Sequence, residues 1–457
     1  MTAEAHVNKL GEHAAVLGAG MAGLLAARVL SEFYETVTVL ERDPLPDSPV
    51  QRKGIPQGQH LHAMLSRGWQ VLAELFPGFL DELVTAGANV LDDGDLSRVY
   101  TRVGPHRLNR SQKFTDPTSL VVYLASRPFL EFHVRRRVSA LGNVRFLDRC
   151  DAVEPIAAAA DRVTGVRVVN RDNGIETTLD TNLVVDAMGR AARTPAFLES
   201  LGYGRPPERR CTTHATYSSQ FLRIPDGAIP EKLMLVLQPG KGNPRGGLTA
   251  YEHGTWILTV GRSAIDTEPP TSFAAMLALA EQFTPPQILA GLRSATPIGD
   301  VSLFRYTGAV WRHYDHMPRF PNGLLVIGDA LCSLNPIYGQ GMTVAALEAL
   351  ALQDYLRSAE TRPQEFFRAA ATHIGPTWAM NQARDRPSSS PQRRSLSTRL
   401  ANWTVNKAMK AAENDIVLTE ALHRVNSLID PPSRLRDPSL IPHVVFGNLR
   451  RVARAHG

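Results

Sequence analysis

Runs of apolar residues along the chain follow two rhythms. Residues 13–17 (His-Ala-Ala-Val-Leu) and Gly323–Ile327 are short, nearly continuous apolar stretches that stop at glycine, the pattern of strands buried on both faces of a parallel sheet. Thr36–Leu40 alternates β-branched and apolar positions and predicts another strand. The helical rhythm appears at Leu130, Val134, Val138 and Leu141, which share one helix face, and again as a long amphipathic helix over about 342–356. Leu233–Leu237 and Trp256–Val260 read as strands of an antiparallel sheet covering about 211–265. Between them Gly240–Gly247 forms a turn, since no helix opens after it as a phosphate loop requires. The arginine-rich Arg384–Arg399 stretch, with its Pro-Ser-Ser-Ser-Pro run, predicts an exposed loop. From Thr398 onward, with Trp403 and Ile416–Leu422 apolar, the pattern is helical.

Punctuation between these elements carries the first chemistry. Directly after the first strand comes Gly18-Ala19-Gly20-Met21-Ala22-Gly23, and a helix begins near Met21. Gly18 permits the tight turn, Gly20 lets the main chain approach a pyrophosphate, and Gly23 lets the helix pack close to the strand. Unpaired amides at the helix start then face the phosphates. The second strand ends on Glu41-Arg42, with Glu41 eighteen residues past Gly23. A carboxylate there accepts both hydroxyls of an adenosine ribose and repels a 2′-phosphate. NAD and FAD both satisfy this half of the pattern.

The strand at Gly323–Ile327 opens into Gly328-Asp329-Ala330, then Asn335-Pro336-Ile337-Tyr338-Gly339-Gln340-Gly341-Met342 and the long helix. Here Asp329 suits a ribitol hydroxyl. The amides near Gly341 and Met342 suit the pyrimidine edge where negative charge collects on a reduced flavin. NAD has no such need, so the pair of segments points to FAD.

With these residues the chain resembles the FAD-dependent monooxygenases of the para-hydroxybenzoate hydroxylase type, whose second flavin motif is the Gly-Asp segment. Val184-Val185-Asp186-Ala187-Met188-Gly189-Arg190 resembles the family's middle motif, with two residues between its Asp and Gly. Ser126-Arg127-Pro128-Phe129-Leu130 resembles its arginine at a helix start, whose guanidinium reaches the flavin. Arg52-Lys53-Gly54-Ile55-Pro56-Gln57-Gly58-Gln59-His60-Leu61-His62 and Leu75-Phe76-Pro77-Gly78 are similar to an actinobacterial subgroup containing polyether epoxidases and spirotetramate-pathway FAD-containing cyclases.

The resemblance implies an α/β (α+β overall) fold: a Rossmann-like FAD-binding domain from about 1–90, 125–210 and 296–356, an inserted antiparallel-sheet substrate domain from 91–124 and 211–295, and a C-terminal helical cap from 357–457. It implies Gly18, Gly20, Met21, Ala22, Gly23, Glu41, Arg42, Arg52, Arg127, Ala152, Asp186, Asp329, Gly339, Gly341 and Met342 as cofactor-binding residues. His60, His62, Tyr338, Gln340 and Trp378 are pocket candidates, and no catalytic residue is assigned. The implied activity is epoxidation or hydroxylation of a hydrophobic polyketide or related metabolite through a flavin C4a-hydroperoxide, with NADPH or a flavin reductase supplying electrons. A non-redox [4+2] cyclase is the alternative. The five tryptophans, at 69, 256, 311, 378 and 403, form no Trp-x-Trp-x-Ile-Pro segment, which sets the chain apart from halogenases.

Composition trims the other classes. Lysine and arginine exceed acidic residues by six, spread thinly and not clustered beside aromatics, so a nucleic-acid surface is not expected. Cys150, Cys211 and Cys332 are far apart, without a paired or metal-ligand spacing, which fits a reducing cytoplasm. His60 and His62, two apart on an extended segment, point to opposite faces and lack a third ligand, so no metal is expected. Ala14–Leu30 is interrupted by glycines and preceded by Glu4 and Glu12, and no uninterrupted apolar run of membrane-spanning length follows.

Overall fold

The computed structural model describes residues 9–159, 161–238, 240, 242–262, 268–358, 362–385 and 405–454. Its centre is a five-stranded parallel sheet ordered Leu324–Val326, Leu183–Asp186, Gly11–Leu17, Tyr34–Leu40, Val144–Leu147. Parallel strands must be covered on both faces, and these are: Ala14, Val16, Val37, Val39, Val184, Val185 and Leu325 are essentially inaccessible. The covering helices Met21–Phe33 and Gly341–Arg357 supply Leu24, Leu25, Val29, Val344, Ala346 and Leu352 to the same core. Each fully buried side chain of this size contributes about 1.5–3 kcal/mol. The helix Arg127–Ser139 buries the expected face, Leu130, Val134 and Val138.

A second sheet of seven strands runs Thr296–Tyr306, Ala215–Arg223, Thr255–Arg262, Pro244–Ala250, Leu233–Leu237, Val99–Val103, His106–Arg107. It corrects the sequence reading three times. Residues 244–247, read as the end of a turn, already belong to the strand Pro244–Ala250, because their pairing with Thr255–Arg262 starts at Pro244. One pair, Leu233–Leu237 with Val99–Val103, is parallel, because two chain segments far apart in sequence lie side by side without a hairpin to reverse them. Thr296–Tyr306 also pairs along Ala215–Arg223, so residues 296–306 belong to this sheet and not to the nucleotide-binding part. Their polar, exposed alternation marks an edge strand, which lacks the apolar run of a buried one.

Alternation gives the sheet two faces. Leu222, Met234, Val236, Leu248, Trp256, Leu258 and Val260 turn toward helices Phe273–Ala280 and Pro286–Arg293 and form a separate core. Tyr217, Ser219, Thr259, Gly261, Arg245 and Gly247 occupy the opposite face, in register across the strands.

Helix Pro363–Asp385 packs Phe366, Phe367, Ile374 and Trp378 into the main core. The later helices, residues 405–411 and Ile416–Asn426, instead join Leu108 and Leu440 in a small core at the free edge of the seven-stranded sheet. There the Asn109 amide donates to the Ala412 carbonyl at 3.0 Å. Most of Arg384–Arg399, with Trp403, lies outside the described residues. Among the described residues no helix is long and apolar enough to cross a membrane.

Candidate functional site

Gly18 and Gly328 lie 310 positions apart in sequence, yet their loops meet. A Cβ on Gly328, at φ +68°, would stand 2.6 Å from the Ala22 side chain. A Cβ on Gly23 would stand 1.9 Å from the Gly18 carbonyl oxygen, and one on Gly18, at φ +104°, 2.8 Å from the Ala187 carbonyl oxygen. These three glycines are packing requirements. Gly20 and Gly341 differ, since a Cβ on either would enter open space. Both stand at helix starts, on Met21–Phe33 and Gly341–Arg357, where no side chain caps the first-turn amides. Elsewhere Ser126, Ser272 and Asp415 cap their helices in the usual way. Two uncapped helix starts facing open space at the carboxyl edge of a parallel sheet suit an anionic dinucleotide.

Glu41 is buried at the end of the second strand. Its Oε2 accepts the Ala19 amide at 3.0 Å and its Oε1 the Asp43 amide at 3.1 Å. Arg52 lies beside it: Nη1 is 3.0 Å from Glu41 Oε2, Nη2 donates to the Ala19 carbonyl at 2.9 Å, and Nε donates to Glu131 Oε1 at 2.8 Å. Glu131 also receives Arg127, at 3.2 Å from both Nε and Nη2. A buried lattice of two carboxylates and two guanidiniums therefore joins the glycine loop to the helix that carries Arg127. Sequence reasoning identified three of its members and missed Glu131, whose signal is its position four residues past Arg127 on the same helix face. Arg42 is exposed, and Ala152, half-buried, lies near Glu41 on a strand whose first amide, Cys150, donates to the Glu41 carbonyl at 2.9 Å.

Asp186 turns inward. Its carboxylate accepts the Met188 amide at 2.9 Å and the Thr194 hydroxyl at 2.5 Å, which closes the 186–194 turn behind Gly18. Asp329 does the reverse: its side chain reaches solvent, yet it sits so deep that desolvation pushes its pKa up, with Arg127, Arg190 and Arg312 drawing it back. Such a carboxylate lines a cleft. Beneath it the buried Glu348 accepts the Gly328 amide at 2.6 Å and has its pKa raised to about 8 by burial. Glu348 was invisible in sequence because it sits mid-helix among apolar residues.

Loop 52–65 crosses from this cleft to the second sheet. His60 Nδ1 is 2.8 Å from Ser219 Oγ, and its ring lies 5.4 Å from that of Phe304. The Leu61 amide donates to Thr259 Oγ1 at 3.1 Å, and the Leu61 side chain fills the space over Gly247. Tyr251 Oη clasps His62, accepting from its amide and donating to its carbonyl, both at 2.8 Å. Burial pulls His60 to about 4 and His62 to about 3, so both rings are neutral at physiological pH.

On the other side Tyr338 donates to Asp385 at 2.8 Å, and Asn335 Nδ2 donates to the same carboxylate at 3.0 and 3.1 Å. The end of helix Pro363–Asp385 is thereby tied to the flavin-type loop. Gly339, at φ +65°, takes the left-handed conformation there, and Gln340 and Met342 are buried behind it. Trp378 lies 5.9 Å from Trp311 in the main core, a packing position. Buried His313, half-buried Asp315 and exposed His316 lie together, but the two rings stack at 8°, so their lone pairs lie in separate parallel planes, a poor start for a tetrahedral ligand set. The three cysteines are free, and burial drives the Cys332 thiol well above its ordinary pKa, away from reactivity.

No family model matches the chain. Protein Rv3254 of Mycobacterium tuberculosis is 37% identical over 452 residues, spanning 96% of this chain and 94% of that protein. The chain belongs to the same family as Rv3254. Kynurenine 3-monooxygenase of Salinispora tropica is a more distant relative, 27% identical over 77% of this chain and 74% of its own length. Among solved structures, p-nitrophenol 4-monooxygenase PnpA of Pseudomonas putida superposes with a TM-score of 0.64 at 16% identity, over 93% of this chain and all of that one. This member of the Rv3254 family thus has the fold of FAD-dependent monooxygenases, a Rossmann-like parallel sheet joined to a second sheet.

Proposed function

We propose that the protein is an FAD-dependent monooxygenase that hydroxylates or epoxidises an apolar polyketide or related metabolite. The observation that carries this reading is the meeting of the Gly18–Gly23 and Gly328–Met342 segments at one cleft, with two uncapped helix starts turned into it. In this arrangement the Met21 and Ala22 amides would hold the pyrophosphate, Glu41 the adenosine ribose, and Asp329 a ribitol hydroxyl. The Gly341 and Met342 amides would serve the pyrimidine edge, and Arg127, close enough to act on Asp329, would share that end. Bound there, FAD supplies the two-electron chemistry and the activation of dioxygen, for which no side chain is equipped.

The remaining work belongs to the chain. Loop 52–65, pinned by Ser219, Thr259 and Tyr251, closes the cleft against the second sheet and limits water entry. The neutral rings of His60 and His62 and the apolar Leu61, Leu235 and Phe304 give that side a low-polarity wall that suits an apolar substrate. Electrons come from NADPH or a partner flavin reductase. The test is turnover under ¹⁸O₂ of a polyene acid by purified protein, with NADPH and a flavin reductase. A product carrying one labelled oxygen is expected. Product formed without reductant by the fully oxidised protein, with no oxygen gained, would replace oxygenation with cyclisation.

A further inference from the structure

Arg245 occupies the middle of the sheet face turned toward the cleft. Across the strands Phe304 pairs with Tyr217, Tyr217 with Gly261, and Gly261 with Arg245, so the four stand in one row on that face. Gly261 makes the row work, since a Cβ there would meet the Tyr217 ring at 2.6 Å; the ring folds over this glycine toward Arg245. Tyr306, two residues beyond Phe304, packs with Tyr217 against Ile337 of the 335–342 loop.

These three side chains share an unusual condition. Arg245 is 8% exposed, yet among the described residues it has no hydrogen bond and no carboxylate within 4.0 Å. Its Nε is fully buried and unpartnered, while the Nη atoms keep contact with solvent. The hydroxyls of Tyr217 and Tyr306, 7% and 2% exposed, are likewise buried without a partner. Asp385, whose charge is felt by both tyrosines, is already held by Tyr338 and Asn335. Of the other buried arginines, Arg52 and Arg127 each hold a carboxylate and Arg135 donates to the Pro46 carbonyl; a buried guanidinium with no partner at all is costly, and two unpaired phenols beside it add to the cost.

We propose that Arg245, with Tyr217 and Tyr306, is the subsite for an anionic end of the substrate: a two-oxygen oxyanion, carboxylate or 1,3-dicarbonyl enolate, attached to an apolar body. A planar guanidinium fork matches such a pair of oxygens, and each phenol adds a donor. The low-polarity wall of Leu61, Leu235 and Phe304 takes the body. This assignment rests on the monooxygenase reading for the meaning of "substrate", but binding tests it without turnover.

The experiment is calorimetric titration of the purified full chain with 2-naphthoate and with neutral 2-naphthamide, then with a phenyl-substituted cyclohexane-1,3-dione and its enol methyl ether. Flavin content is read separately on the same samples. Wild type is expected to prefer at least one anion over its neutral partner by about ten-fold, and Arg245→Met to abolish that preference. Tyr217→Phe and Tyr306→Phe should each weaken it several-fold. The naphthoate and dione arms separate carboxylate from enolate recognition. Without probe, Arg245→Met should melt higher than wild type, because it removes an unpaired buried charge. No anion preference in wild type up to about 1 mM probe, a dissociation constant at the weak end of the ordinary scale, would overturn the proposal. So would an unchanged preference in Arg245→Met, or a lower melting temperature for it.

Discussion

The two sides of the cleft are built on opposite principles. On the parallel-sheet side the ligand-facing groups are main-chain amides at two helix starts, and the guanidiniums beside the first of them are paired by charge: Arg52 between Glu41 and Glu131, and Arg127 on Glu131. On the seven-stranded side the groups are side chains, and three on the face turned to the cleft, Arg245, Tyr217 and Tyr306, carry buried polar atoms without partners. The first side is organised for a ligand that is always the same. The second is left unpaired in the folded protein, as a selective surface must be when its partner arrives from outside.

Breaking the satisfied side should have the largest effect. Arg52→Met leaves the buried Glu41 without a guanidinium and Glu131 with Arg127 alone, and is expected to cost about 3–5 kcal/mol in denaturant unfolding, with loss of bound flavin. A loss below about 1 kcal/mol, the surface-pair range, would mean that the lattice contributes little. Next in size is a paired test of the glycines. Gly23→Ala drives a methyl into the Gly18 carbonyl and should cost about 3 kcal/mol, whereas Gly20→Ala meets open space. The second variant should stay folded and lose flavin affinity; equal losses of stability in both would erase the distinction between packing and ligand-facing glycines.

A smaller effect follows from Glu348. Its folded pKa of about 8 is above the unfolded value of 4.5, so the stability it contributes is fully present below pH 4.5 and lost as pH rises through about 8. Melting temperature should fall over that window, and Glu348→Gln should flatten the fall; an unchanged profile contradicts the assignment. Asp329, shifted the same way by burial, adds to the slope. The smallest effect belongs to His60 and His62, whose depressed values place their stability above pH 6.5 and remove it as pH falls toward 4. His60→Gln should shorten that acid limb by a few degrees, about the shift of 1 kcal/mol in a domain of this size.

The same contrast decides what was readable from sequence. The glycine loops, Glu41, Asp329 and the helix starts form local motifs, because a main-chain site needs consecutive residues with particular backbone freedom. Arg127 was found through its helix start. Its partner Glu131 was not, since a carboxylate on a helix face ordinarily means solvent. The face carrying Arg245 and Tyr217 was wholly hidden: its members come from separate strands, and only register brings them together. The same reason explains the misplaced Thr296–Tyr306 strand, whose partner, Ala215–Arg223, is about eighty residues earlier.

On the proposed function, two segments 310 positions apart grip the two ends of one dinucleotide. The decisive measurement is heat release of the chromophore from purified protein and its identification by mass. The expected result is FAD, about one per chain, lost in Gly20→Ala while the fold persists. Release of FMN, which has no adenosine for Glu41 to hold, or of a nicotinamide dinucleotide, which has no pyrimidine edge for Gly341, would contradict it.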